Sequence, residues 1–352
     1  MNEEILATVY RVARRQFDLA DDFELRPEFG MADVPGWDSL NSIELILAVQ
    51  GEYRIDIPLE VMAQVETLGD LSEAVARQLQ FAGRAEEAEP ELHIPEGGFL
   101  RVPRRPRKPR SVGLTCVIDN GLGPASLQDA LAASGSLIDY VKFGWGTGLV
   151  VECLDRKIEL LRESGVPYWF GGTLFEVARQ QNRIPEMITW LRARGCSVVE
   201  ISSGTVEMDS EEVDGHIRTF REAGFTVLVE VGSKSREHAL RHADWVARIK
   251  AALVRGASYV LCEGRETGTA GLYHDDGKPR VDLIEEICSQ GIDLSRLIWE
   301  APRRDQQVWF IEQFGVNCNF ANIQPGDVVS LETLRQGLRA DTLFLVHSDG
   351  SK

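Results

Sequence analysis

The chain has 352 residues, room for two domains or for one large domain with an appendage. Hydrophobic content of 43% and charged content of 26% are ordinary globular values, and a net charge of -17 excludes the basic footprint of a nucleic-acid binder. The six cysteines (Cys116, Cys153, Cys196, Cys262, Cys288 and Cys318) form no C-x-x-C pair and are expected as reduced core residues. No signal peptide opens the chain and no apolar run reaches about 18 residues. The expectation is therefore a cytoplasmic protein with neither membrane nor nucleic-acid partners.

The charge is uneven. Residues 1–80 hold 16 acidic and 6 basic side chains, a net of -10, which suits docking on basic enzyme surfaces. Ile5, Val9, Val12 and Phe17 fall near helical spacing and predict a first amphipathic helix over 3–17. A long acidic loop follows. A second helix begins at or just after Asp38, with Leu40, Ile43 and Leu47 on one face. Thr67 and Asp70 read as a capping arrangement for a last helix through Leu71, Val75 and Leu79.

The run Gly36-Trp37-Asp38-Ser39-Leu40, followed by Ile43-Glu44-Leu45, resembles the attachment motif of acyl carrier proteins. The resemblance covers residues 1–80 and implies an all-α four-helix bundle. It implies 4′-phosphopantetheine on Ser39, a phosphopantetheinyl transferase as partner, and acyl-loading or downstream carrier-dependent enzymes. The local physics agrees: backbone N–H groups and the dipole at a helix N-terminus favour a phosphodiester.

Residues 81–98 lack periodicity and read as a flexible, charged linker. Residues 101–110 then carry six basic side chains and three prolines, which exclude a regular helix. This stretch reads either as a basic arm holding the carrier or an anionic substrate at a barrel mouth, or as an extended lead-in to the first strand.

From residue 99 to 352 a second domain is expected. Eight apolar runs end in polar or charged groups: 117–119, 140–142, 168–171, 198–200, 226–234, 259–263, 297–300 and 319–322. Helical segments fall between them at about 125–134, 149–164, 174–194, 209–223, 235–255, 281–290, 304–314 and 328–339. Eight alternating units predict a (β/α)8 TIM barrel, whose strand C-termini share one catalytic face. Lys234, ending the fifth run, lies on that face.

Several motifs then resemble phosphosulfolactate synthase across residues 99–345. They include Gly113–Asp119, Val141–Thr147, Gly171–Glu176, Val199–Ser202, Glu230–Lys234, Glu263–Arg265, Glu300–Pro302, Asn322-Ile323 and Ser330–Arg339. The resemblance implies addition of sulfite to phosphoenolpyruvate with magnesium, and a homo-oligomer formed through the barrel. It places Lys234 as general acid, with Glu230 beside it as the other catalytic candidate. Strand-end carboxylates suit Mg2+, a hard ion, and Glu200, Glu230 and Glu263 are the candidate ligands, with Asp119 and Glu300 next. Lys142, Arg265 and Asn322 would hold a small anionic substrate, and Arg303, Arg304 and Arg339 its phosphate. The loop from Gly264 to Tyr273 is long enough to serve as a lid. Asn120, Ser203 and Ala340 depart from the family's usual residues. Fusion to a carrier leaves two arrangements open, a barrel working on small molecules and one working on a tethered acyl group or with the pantetheine thiol. A scaffold without chemistry is the third.

Overall fold

A computed structural model describes residues 3–20, 22–53, 55, 57, 59–62, 65–86, 91–232 and 240–347. The chain divides into two compact units, one built on residues 1–88 and the other holding every strand.

The first unit contains α1 (Glu3–Gln16), α2 (Ser39–Tyr53), the single turn α3 (Leu59–Met62) and α4 (Leu68–Glu86). α1 has Glu3 and Glu4 in its first turn and Arg14 and Arg15 in its last, charges that suit its dipole. Its Ile5, Val9, Val12 and Ala13 pack with Leu45, Ile46 and Val49 of α2 and Leu68, Leu71, Ala74 and Val75 of α4. Ile43 and Leu47 are about half exposed, so the face they share points outward from this unit's core. The capping box at α4 is present: Thr67 Oγ1 accepts from Asp70 N at 3.1 Å, and Asp70 Oδ2 accepts from Thr67 N at 2.9 Å. α4 continues to Glu86, through the start of the expected linker.

The second unit opens with a small antiparallel pair, β1 (Leu92–His93) and β2 (Val102–Pro103), which gives part of the expected linker a fixed partner. The alternating repeat follows. β3 (Thr115–Asp119) leads to α5 (Pro124–Ser134), and β4 (Tyr140–Phe143) to α6 (Thr147–Val150) and α7 (Leu154–Glu163). β5 (Tyr168–Phe170) leads to α8 (Gly172–Gln180) and α9 (Ile184–Ala193), and β6 (Val198–Ile201) to α10 (Ser210–Glu222). β7 (Thr226–Val231) precedes α11 (His242–Arg255), and β8 (Tyr259–Cys262) precedes α12 (Val281–Ser289). β9 (Leu297–Glu300) and α13 (Arg304–Phe314) are followed by β10 (Phe320–Ile323), α14 (Val328–Arg335) and α15 (Leu343–His347). The helix expected over 174–194 is two helices. Asn182 takes a left-handed φ of 55°, and Pro185 sits at the start of α9.

The eight strands β3–β10 form one parallel sheet in the order β5-β4-β3-β10-β9-β8-β7-β6. Its two edge strands, β5 and β6, lie against each other and close the barrel. Inside, Leu114, Cys116, Trp169, Val198, Leu228, Leu261, Ile298 and Ala321 form a buried apolar layer, with Tyr140 and Tyr259 packed on it. This layer fills the barrel, as packed interiors of this fold require.

The basic arm closes the opposite end of the barrel from the strand C-termini. Arg105 pairs with Glu332 at 3.1 Å and donates to Gly113 O at 2.9 Å. Lys108 donates to Gly135 O at 3.1 Å, and Arg110 pairs with Asp139 at 2.9 Å. Arg335, fully buried, donates to Val316 O and Leu114 O, carbonyls that precede β10 and β3. The arm thus satisfies backbone acceptors where strands begin, far from any site where they end.

Candidate active site

Side chains along a strand alternate, so the residue two positions beyond each apolar-layer member points inward one level higher. In seven strands the rule holds and that second residue lines one cavity of about 290 Å3: Ile118, Lys142, Gly171, Glu200, Glu230, Glu263 and Glu300. In β10 the register shifts between Phe320 and Ile323, and Asn322, with a φ of 60°, is turned into the same lining. Trp145, Arg265 and Glu266 from the loops and Gly172 and Thr173 from the start of α8 complete it. An apolar plug with a polar layer above it is thus written into the period of the strands.

Lys142 is the hub of the polar layer. Its Nζ lies 3.1 Å from Glu200 Oε2 and 3.2 Å from Glu300 Oε1. Burial by itself lowers the ammonium's pKa, but Glu200, Glu300, Glu230 and Glu263 outweigh that and hold it well above the usual lysine value. Glu200 is further bound by Gly172 N at 2.6 Å and by Trp169 Nε1 at 2.7 Å. Glu300 Oε2 accepts from Gly264 N at 3.0 Å, and Glu263 Oε1 from Arg265 N at 2.6 Å.

Backbone strain gathers here. Of the five described non-glycine residues with positive φ, Trp145, Arg265 and Asn322 all line this cavity. Such conformations cost of order 1–3 kcal/mol each and persist where surrounding structure imposes them, typically at functional sites. Asn322 is also buried with Oδ1 lacking a hydrogen-bond partner among the described residues, an acceptor left for a ligand.

The expected site residues divide clearly. Lys142, Glu200, Glu230, Glu263, Arg265 and Asn322 are brought together. Lys234 lies outside the described residues. Arg303, Arg304 and Arg339 are not in the cavity lining. Arg303 donates to Thr267 O at 2.8 Å and Asp276 O at 3.1 Å, Arg304 is exposed at the start of α13, and Arg339 donates to Ser330 Oγ. Asp119 is spent on Lys157 Nζ at 2.5 Å and on the N–H groups of Gly121 and Leu122. The loop expected as a lid is tied down. Gln306 Nε2 donates to Gly268 O and Gly277 O at 2.9 Å, and Tyr273 Oη to Glu300 O at 2.7 Å.

Among the described residues no group of three or more His, Cys, Asp or Glu side chains is arranged to hold a metal. Both Glu200 oxygens already accept from the protein, and Glu230 Oε1 lies 2.7 Å from Ser202 Oγ. These two carboxylates, expected as magnesium ligands, already hold protein partners. Glu263 and Asn322 both line the cavity, and oxygens of their kind suit a hard cation.

Sequence reasoning missed Glu176 and Ser202. Ser202 carried a signal, since it stands two residues past Glu200 and shares its face. Glu176 sits on α8 and becomes a neighbour only through the fold. Gly172 was missed as a packing constraint. A Cβ there would lie 2.3 Å from Ser202 Cβ and 2.7 Å from Glu200 Oε1. Gly172→Ala is expected to destabilise the barrel by about 1–3 kcal/mol, read as a lowered unfolding midpoint. An unchanged midpoint would show that the neighbours yield.

At the other unit, Trp37 is buried, stacks on Phe17 and donates to Ser42 Oγ. Asp38 Oδ1 accepts from Asn41 N at 2.9 Å and caps α2. Ser39 is thereby placed as the first residue of α2, as its motif requires.

Known proteins match both units. A family model described as (2R)-phospho-3-sulfolactate synthase (ComA) covers residues 103–341, and one described as a phosphopantetheine attachment site covers residues 35–75. The phosphosulfolactate synthase of Bacillus subtilis is 42% identical over 248 residues, 70% of this chain and 98% of that protein. That of Methanothermobacter thermautotrophicus is 41% identical over 254 residues, 71% and 98% respectively. An acyl carrier protein of a Picosynechococcus strain is 31% identical over 78 residues, 22% of this chain and 95% of that protein. A barrel matched along nearly the full length of such enzymes, joined to a segment matched along nearly a full carrier, settles the family: the chain is an enzyme of the (2R)-phospho-3-sulfolactate synthase family with an N-terminal phosphopantetheine carrier domain.

Proposed function

We propose that the barrel forms a carbon–sulfur bond by adding sulfite to phosphoenolpyruvate or a related enoyl acid, and that Ser39 carries 4′-phosphopantetheine. The observation that carries this reading is the polar layer centred on Lys142, seated within the segment that resembles the synthases. As sulfite attacks the terminal alkene carbon, negative charge grows on the substrate carboxylate. Lys142 stays cationic throughout the neutral range and Arg265 stands at the cavity mouth, so both can stabilise that charge. A carbon must then be protonated, and the proposed donors are Glu230, which lines the cavity, and Lys234.

The charge count supports a further cation. Among the described residues the lining holds five carboxylates (Glu200, Glu230, Glu263, Glu266 and Glu300) together with Lys142 and Arg265. An anionic substrate is repelled from such a lining unless protons or a metal offset it. Magnesium, when bound, would supply Lewis-acid stabilisation of the carboxylate, with Glu263 and Asn322 as its protein oxygens.

The covalent carrier favours a second arrangement, in which the barrel acts on an unsaturated acyl group tethered to Ser39. Tethering raises effective concentration without any new contact. Intact-protein mass spectrometry separates the two. The phosphopantetheine form is incubated with magnesium, sulfite and phosphoenolpyruvate. Free sulfonate product with unchanged protein mass supports the small-molecule reaction. A mass gain on the tether, absent in Ser39→Ala, supports reaction on the carrier. Neither product nor mass gain would refute sulfite addition to this acceptor.

A further inference from the structure

The loop after β4 is held close to its neighbours, and glycine makes this possible. A Cβ at Gly144 would lie 2.5 Å from Asn120 Oδ1, one at Gly171 would lie 2.8 Å from Trp145 N, and one at Gly148 would collide with the Phe170 ring. Gly144 N donates to Asp119 O at 2.9 Å and Gly171 N to Phe143 O at 2.8 Å, which ties the loop to the ends of β3 and β5. Held this way, Trp145 takes a φ of 49°, a genuine outlier for a bulky residue. Strain of this kind persists where the surrounding structure imposes it. Here it sets an indole in the cavity lining with 41% of its surface exposed.

α6 follows directly, on the face of the barrel where the strands end. Gly148 is its buried residue, and Leu149 and Val150 are 59% and 79% exposed. Trp145, Leu149 and Val150 therefore stand in water beside a cavity whose lining is mostly polar. Ile118 is the other large apolar side chain in the described lining, and it is buried. Single exposed apolar side chains need no explanation, but a group of them at the edge of a cavity marks an interaction surface.

The chemistry of the rim narrows its ligand. The face of an indole is the negative side of its quadrupole and repels an anion, while its edge offers an N–H donor. A small free acid therefore gains little from this rim. A neutral chain that alternates apolar groups with amides gains most. A pantetheine arm is such a chain: its methylenes and paired methyl groups suit Trp145, Leu149 and Val150, and an amide carbonyl can accept from the indole N–H. The cavity, at about 290 Å3, is at the lower limit for a small-molecule pocket, so it takes the acyl end and leaves the arm outside.

We propose that Trp145, Leu149 and Val150 form a binding rim for the pantetheine arm of a carrier-held substrate, the arm implied by the attachment motif of this same chain. This rests on the second arrangement above, reaction of an acyl group tethered to Ser39. The rim takes the neutral arm and leaves the charged lining to the reacting end.

The test is a calorimetric titration of full-length Ser39→Ala protein with S-propionyl-pantetheine. Its saturated acyl group cannot accept sulfite, and the Ser39→Ala background removes competition from an attached arm. Binding is expected, weakened about 10-fold by Trp145→Ala and several-fold by Val150→Glu. Val150 is exposed, so Val150→Glu should keep the parent's unfolding midpoint, which a structural loss would lower. Leu149→Gln gives the same reading should Val150→Glu fail to fold. No binding of S-propionyl-pantetheine, or binding that either rim variant leaves unchanged, would overturn the proposal. If intact mass shows no gain on the tether, reaction on the carrier fails, and the titration alone still decides whether the rim binds the arm.

Discussion

Lys142→Met is expected to cost the barrel about 3–5 kcal/mol and to remove the turnover proposed for it. The ammonium sits between Glu200 and Glu300, all three buried, at 3.1 and 3.2 Å. Methionine fills similar volume but leaves two buried carboxylates without their shared cation. The pH dependence identifies the cause. In the wild type the folded pKa of Lys142 lies above its unfolded value, so its contribution is complete below the ordinary lysine pKa of about 10.4 and is lost as pH rises through the raised value. In the variant the penalty comes from ionised carboxylates, and stability should recover as pH falls and they protonate. Denaturant unfolding of the barrel at neutral and acidic pH reads both effects. Equal midpoints for wild type and variant at neutral pH would show that Glu200 and Glu300 do not depend on this lysine.

Ser39→Ala is expected to abolish phosphopantetheine loading completely while leaving the carrier folded. The cap of α2 is the Asp38 carboxylate on Asn41 N, and the entry to the helix is anchored by Trp37, so neither support depends on the serine hydroxyl. The contrasting variant is Asp38→Ala, which removes the cap and should cost the carrier about 1 kcal/mol. Intact mass after incubation with a phosphopantetheinyl transferase gives the result directly. A mass increase persisting in Ser39→Ala would place the attachment elsewhere.

The polar layer was legible in the sequence because a strand has only two faces. Once Val198, Leu228, Leu261 and Ile298 are inward, Glu200, Glu230, Glu263 and Glu300 must be inward too, and a parallel barrel collects them at one end. The helix cap at Thr67 and Asp70 was legible for a similar reason, since both partners lie within one turn. Arg303, Arg304 and Arg339 were misplaced because sequence position near the last strands does not say where a long side chain reaches. Carbonyls of the loop between Gly264 and Arg280 claimed Arg303 first. Which face of α2 is buried was not legible, because Leu45, Ile46 and Val49 offer a second apolar stripe on the same helix as Ile43 and Leu47.

The sequence by itself determined the carrier segment, the barrel, the level of the polar layer and the position of Ser39, because helix and strand periods, turn residues and caps act over a few residues. Only the tertiary structure decided which charges meet. It sent Arg105, Lys108 and Arg110 to the floor of the barrel, bound Glu200 to Lys142, Trp169 and Gly172, and set Ser202 between Glu176 and Glu230. Those pairings join residues far apart in the chain. They follow from the requirement that every buried charge find a partner, a condition set by the packed interior and not by neighbours in sequence.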